Sequence, residues 1–313
     1  MYVVDLTSRR IFSRWAREAC SHKVRVSGLG LRKYNRSMPP FHIAIAQLPI
    51  SGDARQNGRK VRTAMHGAAA NGARLIQFPE GMLSGYAQNP IQDWSEVNWH
   101  LVRDELEQVM ALAAGLKLWV VLGSAHPLTP PHLPHNSLYV ISDQGELVNR
   151  YDKRFCSFTE TTRFYAPGHE PLVFEVDGFR FGCAICVEIN FPSLFIEYGL
   201  LGVDCLLLSA YPVDRIFYLK ARAYAAIHTY WLSLSVPSEC AHMMMSGLIS
   251  PDGELLVRME AAEGVVVGEM DRDAPELDIA LNKARPWRAT ASTGEFYAAS
   301  YVVDSRSTNK AGL

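Results

Sequence analysis

The cysteines carry the first sign of chemistry. Cys183-Ala184-Ile185-Cys186 has the C-x-x-C spacing used in redox exchange and metal binding. Its setting speaks against both uses. The run Phe179-Arg180-Phe181-Gly182-Cys183-Ala184-Ile185 reads as a strand, and residues three apart in a strand point to opposite faces about 10 Å apart, beyond the roughly 7 Å a disulfide tolerates. A zinc site would want a second ligand pair, and Cys156, Cys205 and Cys240 stand alone. Cys183 therefore reads as a small buried residue. Cys186 differs, because Val187-Glu188-Ile189-Asn190-Phe191-Pro192 and then a helical run follow it. A side chain at a strand-to-helix corner stands at the sheet edge, close to backbone N–H groups able to stabilise an oxyanion. A thiol there is mostly protonated near neutral pH, so it needs a base.

Two other segments supply the missing groups. In Phe78-Pro79-Glu80-Gly81 a carboxylate directly follows a buried strand. Fixed in a poorly solvated place, such a carboxyl gains a higher pKa and can accept a proton, although a helix cap or salt bridge would use it equally well. Tyr151-Asp152-Lys153-Arg154-Phe155 supplies an ammonium, where a solvated basic edge is the plainer reading.

Together these segments resemble the nitrilase superfamily of carbon–nitrogen hydrolases, on its amidase-like branch, from about residue 41 to 271. Phe78-Pro79-Glu80 matches the family's glutamate segment, Tyr151-Asp152-Lys153 its lysine segment, and 182–192 its Gly-x-x-Ile-Cys-x-Glu/Asp-x-x-Phe-Pro segment, in the family's order. Asn136, Glu160 with Pro167-Gly168, and 246–253 are minor markers. The resemblance implies a catalytic set of Glu80, Lys153 and Cys186. It also implies Val187 as backbone donor to the oxyanion and Glu160 as a second glutamate holding Lys153. Glu188 is expected to be structural or at the pocket edge; Tyr86, Phe155 and Tyr211 are expected pocket walls. The implied reaction is hydrolysis of a small amide or N-carbamoyl amine through a thioester, releasing ammonia or amine without cofactor or metal. Departures bear on the substrate. Phe155 stands where the family often has His, and Arg222-Ala223-Tyr224-Ala225-Ala226 lacks the family's frequent Glu-Asn. Val187 stands where the nitrilase branch has Trp, which favours amides over nitriles. Nitrile hydrolysis by the same set, and a non-enzymatic binding relative, are the alternatives. A Cys–His hydrolase finds no histidine in a recognisable partner segment.

The elements that must position these groups follow from patterning. Strand-like runs fall at 41–47, 75–78, 118–122, 137–141, 172–176, 179–185, 205–208, 231–236, 247–250, 255–259 and 265–269, with helices over 55–71, 101–114, 193–201 and 213–229. Tight Gly turns at Asp143-Gln144-Gly145, Asp177-Gly178 and Asp252-Gly253 make part of the sheet antiparallel. Alternation of this kind predicts an α/β protein, and the resemblance specifies a four-layer α-β-β-α sandwich. The Pro-rich run from His126 to His135 reads as an extended surface loop.

Composition bounds the rest. With 31 basic and 32 acidic residues, the net charge of −1 gives no bulk attraction to nucleic acid or an anionic membrane. The longest apolar stretch, 116–128, is broken by Lys117, Gly123 and His126 and is too short to span a bilayer. Six cysteines are too few for a disulfide scaffold, which points to a reducing compartment and a cytoplasmic protein. Residues 1–40 hold nine Lys or Arg against Asp5 and Glu18, and read as a basic extension before a hydrolase domain at 41–313 with a C-terminal tail. The apolar run 191–201 suits the face of a homodimer or higher homo-oligomer, which the resemblance implies, and would equally suit internal packing.

Overall fold

Most strands are apolar on both faces, and this decides the layering. In a computed structural model describing residues 39–292, 294–308 and 311, twelve strands form two six-stranded sheets. The basic segment expected at the N-terminus lies, up to residue 38, outside the described residues. The first sheet is ordered β12 (Gly264–Met270), β1 (Phe41–Gln47), β2 (Leu75–Gln77), β3 (Trp119–His126), β4 (His135–Ile141), β5 (Leu147–Asp152). The second is ordered β11 (Leu255–Arg258), β10 (Gly247–Ile249), β9 (Trp231–Ser235), β8 (Cys205–Ser209), β7 (Phe179–Ile185), β6 (Val173–Val176). Strands β1, β2 and β3 run parallel, as do β7, β8 and β9, while the outer pairs are antiparallel.

Side chains alternate between two cores. Ile43 and Ile45 of β1 face Phe181, Cys183 and Ile185 of β7 and Cys205 and Leu207 of β8 in one cluster between the sheets. Ala44 and Ala46 of β1 turn instead toward helices α1 (Ala54–Ala70) and α2 (Trp99–Leu116), packing with Val61, Met65, Val102 and Val109. Leu206 and Leu208 of β8 likewise turn toward α3 (Pro192–Leu200) and α4 (Ile216–His228). The result is the expected α-β-β-α sandwich. Local signals set the helix starts: Asp53 caps α1 through Arg55 N, and Asn98 caps α2 through Leu101 N.

The structure sharpens the sequence-based expectations in three places. Helix α2 passes through Gly115 and is stopped two residues later by Lys117, in the left-handed region with φ 55° and bonded back to Ala113 and Ala114 carbonyls. Strand β5, the strand implied after the Asp143-Gln144-Gly145 turn, had no visible limits in the sequence, because it is an edge strand whose first three residues are exposed and lack apolar alternation. The Pro-rich run forms the expected surface loop, closed at its base as a hairpin connection: His126 ends β3, His135 begins β4, and the two are paired across the ladder. Among the described residues no helix is long and apolar enough to cross a membrane. Beyond β12 the chain packs back, placing Leu277 and Leu281 in the inter-sheet core.

One glycine is required by the route of the chain after β2. Leu83 N donates to Gly123 O, and a Cβ on Gly123 would overlap the Pro79 carbonyl oxygen and crowd Gly81 N at 2.9 Å. Gly123→Ala is therefore expected to cost about 1–3 kcal/mol of stability in chemical denaturation, as overpacking does. Gly67→Ala, in α1 with nothing near the new methyl, should leave stability unchanged or raised.

Candidate active site

The groups singled out in the sequence stand where strands end. Glu80 lies three residues after β2, Cys186 immediately after β7, Tyr211 two residues after β8, and Lys153 immediately after β5. In open parallel sheets the carboxyl ends of strands are the usual place for a ligand, since backbone groups there are free of the ladder. Two hydroxyl bonds fix the sheets to each other at this edge. Ser209 Oγ, at the end of β8, donates to Phe78 O at 2.8 Å and accepts from Gln77 Nε2 at 3.0 Å.

Glu80 is fully buried. Its Oε1 accepts from Asn136 Nδ2 at 2.7 Å and Lys153 Nζ at 3.1 Å, and its Oε2 from Tyr211 N at 2.9 Å. Lys153, also buried, donates at 2.5 Å to Glu160 Oε1, while Glu160 Oε2 accepts from Ser157 N at 2.7 Å. All four carboxylate oxygens are thus bonded, the condition under which buried charges are tolerated. Backbone bonds hold the lysine from both sides: Lys153 N donates to Asn136 O, and Lys153 O accepts from Gly168 N. A Cβ on Gly168 would overlap Asp152 O, so Pro167-Gly168 is the segment that lets the chain lie against the lysine.

Cys186 begins a short 3-10 turn, Cys186–Asn190, with φ 48°. For a residue with a side chain this left-handed conformation costs roughly 1–2 kcal/mol. Its Sγ donates to Tyr211 O at 3.5 Å. A single residue therefore links base and thiol, since Tyr211 gives its N–H to Glu80 and its C=O to Cys186. Val187 is the second residue of the turn, where backbone N–H groups have no partner within it. Cys183 faces the inter-sheet core, and both cysteines are free thiols.

The electrostatics follow from burial and from this grouping. Burial, with the charge of Glu160 added, raises the Glu80 carboxyl above its ordinary 4.5 against the pull of Lys153 and Asn136. Burial alone would lower Lys153, but Glu80, Cys186 and Glu160 reverse this and hold it charged well above 10.5. Burial and then Glu80 push the Cys186 thiol well above 9.0, Lys153 opposing in part, so the resting sulfur keeps its proton. Burial, then Glu80 and Cys186, push the Tyr86 phenol far up as well, which puts its ring in the same field.

The remaining expected residues sort differently. Tyr86 stacks on Tyr211 with centroids 4.2 Å apart, and Phe155 stacks on Phe191 at 4.4 Å. Glu188 is buried and has no hydrogen bond to the ion group, accepting instead from Tyr151 Oη and from the backbone N–H of Arg154, Phe155 and Ile185. The sequence reading gave Asn136 no role beyond a marker; a polar Asn-Ser step opening an otherwise apolar strand was the available signal.

Comparisons with known proteins identify the family. The family model described as Carbon-nitrogen hydrolase matches residues 42–277. The chloroplastic omega-amidase of Arabidopsis thaliana is 24% identical over 270 residues, covering 78% of this chain and 72% of that one. Omega-amidase NIT2 of Bos taurus is 23% identical over 254 residues, covering 75% and 90%. Among solved structures, the amidase from Nesterenkonia sp. superposes with a TM-score of 0.67 at 19% identity, covering 80% of this chain and 96% of that one. A mutant of that amidase, from strain AN1, is described with the acetamide moiety of fluoroacetamide added covalently at its active site cysteine (TM-score 0.67, 19% identity, 82% and 96% covered). By the family match over most of its length the chain belongs to the carbon–nitrogen hydrolases and is an enzyme that hydrolyses carbon–nitrogen bonds, and it shares the sandwich fold of the solved amidases.

Proposed function

We propose that Cys186 is the nucleophile, Glu80 the general base and Lys153 the oxyanion-stabilising cation of an amidase acting on a small amide or N-carbamoyl amine. The observation that carries this reading is the bridge through Tyr211, which ties the Glu80 carboxylate and the Cys186 sulfur to one backbone unit. Glu80 takes the thiol proton as sulfur attacks the carbonyl carbon. The oxygen, now negative, is stabilised by the Lys153 ammonium and the Val187 N–H. Collapse of the tetrahedral intermediate breaks the C–N bond, and Glu80 returns the proton to the departing nitrogen. Water, deprotonated by Glu80, then attacks the thioester, and the sulfur leaves with the proton restored. Glu160 keeps Lys153 in place and charged throughout. The stacked pairs Tyr86–Tyr211 and Phe155–Phe191 serve as walls that favour a small acyl group. The omega-amidase relatives and the cysteine adduct of the Nesterenkonia amidase support an amide substrate and a thiol nucleophile. A location in the reducing cytoplasm belongs to the same reading and rests on cysteine content.

Ammonia release from a panel of small amides, N-carbamoyl amines and nitriles is the direct test. Turnover is expected with amides and lost in Cys186→Ala; turnover kept by that variant would reject the mechanism, and turnover of nitriles alone would favour the nitrilase reading. The pH profile tests the base. Because Glu80 must be unprotonated to act and burial raises its pKa, activity should fall as pH drops through a value above 4.5. An acid limb of kcat/KM at or below 4.5 would exclude Glu80 as the base.

Self-association is also part of this reading. Ile196 and Leu200 of α3 and Ile216 and Leu219 of α4 are each more than half exposed, on helices joined by the Phe195–Tyr224 stack at 3.7 Å. Exposed apolar side chains on two adjoining helices suit a protein contact, and a second copy of this chain is the proposed occupant. Sedimentation velocity at micromolar concentration should give a dimer that Leu200→Glu with Leu219→Glu converts to monomer; a monomer for the unsubstituted protein would remove the proposal.

A further inference from the structure

One buried carboxylate lies outside the proposed reaction yet touches two of the segments that carry it. Glu188 has zero exposure, and four donors converge on it. Its Oε1 accepts from Arg154 N at 2.7 Å and Phe155 N at 3.0 Å, and its Oε2 accepts from Ile185 N at 2.7 Å. Tyr151 Oη spans the two oxygens at 2.9 and 2.8 Å. The donors are not scattered. Tyr151 and Arg154 flank Lys153 by two residues and one, while Ile185 directly precedes Cys186. One oxygen therefore holds the end of the lysine strand in the first sheet, and the other holds the start of the cysteine turn in the second.

The bond to Ile185 N also bears on the turn itself. A glutamate three residues into a helical turn that reaches back to the N–H before it is half of a capping box. Here that bond fastens the residue next to Cys186, whose φ of 48° is unfavourable by itself. A strained nucleophile persists only where its surroundings over-determine it, and Glu188 is the group on this structure that does so while reaching across to the lysine.

We infer that Glu188 is a positioning residue for C–N hydrolysis: its carboxylate pins the Lys153 strand end to the Cys186 turn and so sets the separation of ammonium and sulfur. This rests on the mechanism proposed above for Cys186 and Lys153. The chemistry of the glutamine replacement makes the inference testable. Glu188→Gln keeps the shape but only one acceptor oxygen, so it can satisfy the lysine side or the cysteine side and not both. The protein should fold while the pin opens.

The experiment measures kcat, KM and the rate of Cys186 alkylation by iodoacetamide in Glu188→Gln and in Tyr151→Phe, which removes a single donor. With the fold checked by circular dichroism, Glu188→Gln should lower kcat by roughly a hundredfold, the scale of an ångström's misplacement, with little change in KM. Alkylation of Cys186 should slow in parallel, and Tyr151→Phe should move both readings in the same direction by less. If Glu188→Gln does not fold, Tyr151→Phe decides alone. Undiminished kcat in the folded variants, or a rise in KM that accounts for the loss, would overturn the inference. Activity surviving in Cys186→Ala would instead mean that the parent mechanism has failed.

Discussion

A lysine ammonium with 1% of its surface exposed, held between two carboxylates, constrains much of what surrounds it. Removing such charges from water costs several kcal/mol per ion, and their attraction repays this only when every remaining lone pair is bonded. That requirement explains residues that never touch a reacting atom. Asn136 and the Tyr211 N–H complete Glu80, and Ser157 N completes Glu160. Gly123 and Gly168 have no room for a side chain because backbone must pass close to Glu80 and Lys153. The ion group is a poor stabiliser of the fold, but it holds a cation and a base in fixed positions without needing solvent.

The sandwich places this group at one edge because each sheet contributes strands that end there. Glu80 and Lys153 come from the first sheet, Cys186 and Tyr211 from the second, and the ties through Ser209 and Glu188 cross between them. A change in the spacing of the sheets would separate thiol from base before it disturbed either core. The same arrangement accounts for the direction of the titration behaviour. Burial raises both Glu80 and Cys186, so the resting site keeps a proton on sulfur and moves it only when a base, already aligned, can take it.

Much of this was legible in the residues. Apolar runs such as Phe179–Ile185 gave strands at their observed limits, because a strand buried on both faces has no polar residues to blur its ends. Phe78-Pro79-Glu80 and the Cys186 corner were visible as polar groups placed directly after such runs. Strand β5 was legible only from the Asp143-Gln144-Gly145 turn before it and the lysine segment after it, and its limits were hidden, since an exposed edge carries little hydrophobic pattern. The partners of Glu188 were hidden for another reason. They are mostly backbone N–H groups, which leave no mark in the identity of a side chain. Likewise Lys117 ends α2 where Gly115 carried the stronger signal, because packing of the following Leu118 decided where the helix stopped.

The central claim is that sulfur 186 becomes covalently acylated as nitrogen leaves. Mass spectrometry of enzyme quenched in acid during turnover of an amide reads this directly. The peptide containing Cys186 should gain the mass of the acyl group less the one hydrogen it replaces on sulfur, as a thioester that hydroxylamine removes. Ammonia released with no such adduct at any quench time, or an adduct borne by another residue, would contradict the account.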